Sequence, residues 1–165
     1  MRKVLISGAA SFAFAASPVA ADEGTVTYEV PRQDVSNYRK PYIAVWLEDS
    51  ARKQVKVYAV YFDQSSFGDK WLPDLKTWWR RGGRAMKTPV SGVTRPTRGP
   101  GEYKLKIGSL SALPEGRYAL VIEAARENGG REIVKMPFDW TQGEMVSVSS
   151  NGSSELGRIS LSIGG

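Results

Sequence analysis

Only one stretch of this chain, WLPDLKTWWRR at 71–81, carries helical spacing; elsewhere the apolar residues alternate or run unbroken over a strand's length. A chain patterned in this way buries its apolar residues by stacking sheets, with one short helix lying on them. Within the exception, Leu72, Leu75, Trp78 and Trp79 recur at helical intervals. Pro73 suits the first helical position, and Asp74 complements the positive end of the helix dipole. Arg80 and Arg81 complement the other end, and Gly82-Gly83 stop the helix. A helix of about two to three turns does not stand alone in water, so its aromatic face must pack on a sheet.

The strands follow from alternation and β-branched content. Thr25 to Val30 sets Val26, Tyr28 and Val30 against Thr25, Thr27 and Glu29, and Pro31 ends it. Tyr42 to Glu48 is almost continuously apolar, which predicts a central strand, and Glu48-Asp49-Ser50 turns the chain. Val55 to Phe62 returns as a hairpin, with Val55, Val57, Ala59 and Tyr61 on one face. Residues 82–101 are rich in glycine and proline and read as one long loop, a length that usually serves function. Glu102 to Ile107 resumes the β pattern, and Leu113-Pro-Glu-Gly116 is a turn. Arg117 to Ala125 and Arg131 to Trp140 form a hairpin across residues 126–130. Glu144 to Ser149 and Leu156 to Ile163 close the domain. The prediction is a mainly β fold: an immunoglobulin-like antiparallel β-sandwich with one short Trp-rich helix. Trp46 and Trp140 lie in strands and are expected in the core.

Arg2 and Lys3, the short apolar run Val4 to Ala16, and Val19-Ala20-Ala21 have the order of a secretory signal. This predicts cleavage after Ala21, leaving residues 22–165 as one secreted domain, in the periplasm of a cell with two membranes. The apolar run is too short to span a bilayer. The chain has no cysteine and no histidine. That excludes disulfides, thiolate metal sites, a Ser-His-Asp triad, His-ligated zinc and a proximal-His haem. No nucleophile–base arrangement is visible, so no autonomous enzyme activity is expected. A hydrolase reading would need a carboxylate pair in a cleft. Loss of Arg2 and Lys3 lowers the formal net charge from +6 to about +4. Nucleic acid is not an expected partner for a secreted chain of this mild charge; an anionic small ligand, a phosphate or an acidic protein face is.

The segment 71–99 concentrates Trp71, Trp78 and Trp79 with Arg80, Arg81, Arg84, Lys87, Arg95 and Arg98. Two readings stay open. The tryptophans either staple the helix to the sheet or offer faces to a ligand. The arginines either form a solvated surface that complements the dipole or hold an anion.

Taken together, PYIAVWLED, WLPDLKTWWR, SGVTRPT, GEYKLKI, LPEGRYALVIEAARENGG and ELGRISLSI resemble a family of predicted periplasmic proteins, domain of unknown function 2271. The resemblance covers residues 24–163 and implies a secreted β-sandwich with no assigned enzyme activity. It also implies association with a membrane PepSY-type protein and a flavin transferase, in settings of periplasmic redox or iron handling. Such transferases attach FMN through a phosphoester to the last hydroxyl of an Asp-x-x-Ser/Thr-Gly-Ala-Ser/Thr pattern. Ser91, Gly92 and Thr94 match that pattern, whereas Val93 replaces Ala and Thr88 replaces Asp. The resemblance therefore implies covalent FMN at Thr94. Arg95, Arg98 or Arg84 would hold the phosphate, and Trp71, Trp78 or Trp79 would stack on the ring. The competing expectation is a non-enzymatic binding module, whose Trp/Arg loop region docks a membrane protein or an anionic ligand with nothing attached.

Overall fold

A computed structural model describes residues 23–164, so the expected signal segment and its cleavage point lie outside the described residues. The strands are β1 (Glu23–Val30), β2 (Tyr42–Asp49), β3 (Gln54–Phe62), β4 (Thr94–Pro96), β5 (Gly101–Ser109), β6 (Gly116–Ala125), β7 (Arg131–Trp140), β8 (Val146–Asn151) and β9 (Arg158–Ile163). They form two sheets, ordered β5-β1-β9-β8 and β4-β3-β2-β6-β7. The chain passes repeatedly between the sheets, giving the immunoglobulin-like sandwich that the alternation predicts. Pairing is antiparallel except for β3 with β4, which run parallel.

Between the sheets lies the main core. Val26, Tyr28 and Val30 of β1 point into it, as their alternation predicts, and Ile43, Val45 and Leu47 of β2 face them from the other sheet. Trp140 is also buried there. A second apolar cluster covers the outer face of the five-stranded sheet, where Ala44, Trp46, Val60 and Val121 pack beneath Leu72, Leu75 and Trp78. Both faces of β2 and β6 are therefore buried, which is why their sequences read as unbroken apolar runs. The outer face of the four-stranded sheet stays polar, with Thr25, Thr27 and Ser162 directed outwards.

Two Gly-x-Tyr turns lock the entries to β5 and β6. The Tyr118 hydroxyl donates to the Pro114 carbonyl at 2.7 Å, and the Tyr103 hydroxyl donates to the Gly99 carbonyl at 2.8 Å. Each is a tyrosine tying a strand back to the chain just before it, a device of immunoglobulin-like sandwiches. Gly101 and Gly116 start the turns with φ of 150° and 151°, backbone that a side chain disfavours. Tyr118→Phe keeps the packing and leaves the Pro114 carbonyl to water. It is expected to cost about 1 kcal/mol, read from urea unfolding.

The 152–157 turn is held by Glu132, which accepts from the Ser153, Ser154 and Leu156 N–H groups and from both serine hydroxyls. Burial alone would raise its pKa, but the N–H groups of Leu156 and Ser153, with the Ser153 hydroxyl, outweigh burial and hold it at about 2. A carboxylate lowered on folding stabilises the fold above its ordinary pKa of 4.5 and loses that contribution as pH falls towards 2. The stability gap between wild type and Glu132→Gln should therefore close between about pH 4.5 and about 2 in acid titrations of urea midpoints.

Several local expectations change. The 71–81 stretch is not one helix. Gly68–Asp74 winds as a 3-10 helix containing Pro73, and α1 covers only Lys76–Arg81. Leu75, with φ −74° and ψ 66°, breaks the two apart, so Pro73 is not at the first position of α1. The shared face expected for Val55, Val57, Ala59 and Tyr61 also fails. Register shifts against β2 leave Tyr58 and Val55 as extra residues, so Val57 sits opposite Trp46 while Ala59 and Tyr61 face the inner core. Glu48 is not a turn residue but a buried member of β2. The expected loop 82–101 contains a 3-10 turn at Gly83–Ala85 and the edge strand β4. Strands β8 and β9 begin two residues later than their alternation suggests, and Met145 is left exposed.

Candidate functional site: the pinned tryptophan helix

Helix α1 is too short to be stable alone, and buried carboxylates from the sheet fasten it at both ends. At its start, the carboxylate of Glu123 on β6 accepts the Thr77 N–H at 3.0 Å and the Trp78 N–H at 2.7 Å. These are helix donors with no local cap, so a strand residue 45 positions away from Trp78 supplies it. Arg131 neutralises Glu123 at 2.6 Å and also donates to the Thr77 hydroxyl at 2.8 Å. At the other end, Arg81 approaches Glu48 at 3.5 Å. Glu48 also takes Lys135 at 2.8 Å and the Trp46 indole N–H at 3.1 Å. Each glutamate has partners on both oxygens, as a carboxylate buried in an apolar layer requires. Sequence patterning alone does not single out either glutamate as a fastener, although a lone carboxylate inside VIEAA is the available signal.

Trp78 is fully buried in the outer cluster, so neither face of its ring is open to a ligand. The stacking role expected of it gives way to the stapling role, because the sheet occupies its surface. Gly83 makes this possible: a Cβ there would lie 2.7 Å from the Trp78 ring. Trp79 is half-buried, its ring 6.2 Å from that of Trp78 and tilted by 53°. Arg80 and Arg84 are exposed and, with Trp79, Gly82 and Ala85, line a shallow cleft of about 520 Å³. Among the described residues neither Arg80 nor Arg84 has an ion-pair partner, whereas Arg81 is held by Glu48. Helix α1 and the Gly83–Ala85 turn after it thus present two guanidinium groups, unpaired among the described residues, beside one aromatic face. Trp71 stands apart on the 3-10 segment, with the Lys70 ammonium 4.9 Å from its ring centre.

The Ser-Gly-Val-Thr turn leads into β4. Ser91 and Gly92 are exposed, and Gly92 has φ of 75° with open space around it. Val93 is half-buried against the outer cluster, which gives an apolar reason for valine where the transferase pattern has alanine. The Thr94 hydroxyl donates to the Val90 carbonyl and accepts the Val90 N–H, both at 3.0 Å. Arg95 donates to the Gly92 carbonyl at 3.2 Å through Nη2, while its buried Nε has no partner. Arg98 stacks between Tyr61 and Tyr103, 5.3 Å and 4.5 Å from their ring centres. The structure therefore brings Ser91, Gly92, Thr94 and Arg95 together where one turn runs into β4. Trp79 belongs to the helix platform, Arg98 sits in its own aromatic bracket, and Trp78 is inside.

Among the described residues no helix is long and apolar enough to cross a membrane, and no group of three carboxylates could hold a metal ion. A family model described as a predicted periplasmic protein, domain of unknown function 2271, matches residues 23–158. No curated protein matches the chain, and no solved structure does.

Proposed function

Because the chain belongs to the family of predicted periplasmic proteins termed domain of unknown function 2271, we propose that it is a non-catalytic periplasmic interaction module. Its working surface is the platform of Trp79, Arg80 and Arg84, and its partner is the acidic face of a membrane protein of the PepSY type. The observation that carries this reading is the pair of exposed guanidinium groups with no carboxylate partner among the described residues, Arg80 on the helix fastened by Glu123 and Glu48 and Arg84 on the 3-10 turn that follows it. A fastened platform loses little conformational entropy on binding, and a half-buried tryptophan beside arginines is the composition of an interface hot spot. Photo-cross-linking from position 84 in the native periplasm tests it. The expected product is an adduct with a membrane protein, abolished by Arg80→Glu. Absence of any protein adduct, or an adduct indifferent to that change, would contradict it.

The second reading is FMN attached to Thr94. What supports it is the exposed Ser91-Gly92 turn beside Arg95, whose Nε lacks a partner. A flavin transferase would join the Thr94 oxygen to the phosphorus of the FMN moiety of a flavin dinucleotide. The nucleoside monophosphate would leave, and the hydroxyl proton would pass to solvent. The Thr94 oxygen would give up its donated bond to Val90 and could keep the one it accepts. Intact mass of protein from its own periplasm decides this. An increase of one FMN monoester that vanishes in Thr94→Ala supports the reading. An unmodified mass with the transferase active removes it.

A further inference from the structure

A second recess lies away from the helix platform and from Thr94. It is a cleft of about 370 Å³ between the 31–41 connector, the 63–74 segment and the end of β6. That volume falls in the range of small-ligand sites, roughly 300–1,000 Å³. One wall is aromatic. Phe67, just before the 3-10 segment, and Trp71, within it, stand four residues apart and keep 71% and 39% of their surface exposed. Both lie under the same Lys70 ammonium, at 5.8 Å and 4.9 Å from the ring centres. The two exposed rings thus share one cation on the same wall of the cleft.

The charged groups lining the cleft balance. Arg39, Lys40 and Lys70 are matched by Asp63, Asp74 and Glu127. Among the described residues, only Arg39 and Glu127 of these pair with each other, loosely at 3.7 Å. Lys40 and Asp74 have no ion-pair partner among the described residues, so the cleft offers a free donor and a free acceptor next to exposed rings. An anion would meet three carboxylates there, and a cation three positive groups. A purely apolar guest would strand the polar ones. A neutral ring with one C–H face and many hydroxyls suits all of them: its face stacks on Trp71 and Phe67, and its hydroxyls bond carboxylate and ammonium.

We infer that this cleft is a binding site for a neutral oligosaccharide, with Trp71 as stacking platform and Asp74 and Lys40 as hydroxyl partners. The site is separate from the Trp79-Arg80-Arg84 platform, so either assignment can fail without the other. The test is an NMR titration of the mature domain with cellotriose, chitotriose and the anionic trigalacturonate. The Trp71 indole N–H signal is identified by its absence in Trp71→Phe. The expected result is a saturable shift of that signal with a neutral trisaccharide. Kd, followed through the remaining backbone signals, should rise about tenfold or more in Trp71→Ala and in Asp74→Asn. It should stay unchanged in Arg80→Glu combined with Arg84→Glu, and all variants should keep the wild-type unfolding midpoint, since Trp71 and Asp74 lie at the surface. The inference is overturned by no saturable shift with either neutral sugar, by binding undiminished in Trp71→Ala, or by preference for trigalacturonate.

Discussion

Glu123→Ala is expected to destabilise the domain by about 3 kcal/mol or more, the largest loss from any single polar residue here. The carboxylate is fully buried, and its removal leaves the Thr77 and Trp78 N–H groups without acceptors beneath the helix. Each stranded donor costs about 1–3 kcal/mol. Arg131 loses its counter-charge as well, but it is about a third exposed and water recovers part of that loss. Glu123→Gln keeps one acceptor oxygen and should fall between alanine and wild type. Urea unfolding followed by far-UV circular dichroism checks the order. If alanine and wild type share a midpoint, the carboxylate is not what fastens α1.

Trp78→Ala should cost about 3–5 kcal/mol, the range for deleting a large buried aromatic ring. The indole fills the space between α1 and the outer face of the five-stranded sheet, touching the cluster that contains Trp46 and Val121. Gly83 is already as small as a residue can be, so the chain cannot close the gap from that side. Trp71→Ala, on the exposed 3-10 segment, should stay within about 0.5 kcal/mol. The contrast between two tryptophans seven residues apart separates stapling from display, and thermal unfolding of the two variants reads it. A destabilisation by Trp71→Ala as large as that by Trp78→Ala would mean that the 3-10 segment, not α1, carries the packing.

The sandwich is legible in the sequence because half-buried strands print their environment at every second residue. Alternation alone places Val26, Tyr28 and Val30 inside, and the unbroken runs of β2 and β6 announce strands covered on both sides. What escapes depends on partners distant in the chain. The bulges at Tyr58 and Val55 are set by how β3 meets β2, so alternation along β3 alone puts Val57 on the wrong face. Strand β4 is three residues ending in proline, too short for any period to show. The split of the helix at Leu75 and the cap that Glu123 supplies from a distant strand leave no mark in the local spacing. The Ser-Gly-Val-Thr turn is legible as a turn, but the two bonds of Thr94 to Val90 are not. The aromatic cleft is invisible in the sequence because its walls come from four separated stretches of the chain.

Docking of an acidic partner on Arg80, Arg84 and Trp79 is tested most directly by co-sedimentation of the mature domain with inner-membrane vesicles from its own cells. Wild type is compared with Arg80→Glu combined with Arg84→Glu. Both side chains are exposed, so the variant should fold as wild type does. The predicted result is sedimentation of wild type at low salt, weakened as salt is raised, and lost in the variant and after protease treatment of the vesicles. Equal sedimentation of wild type and variant, or none for wild type, would contradict it.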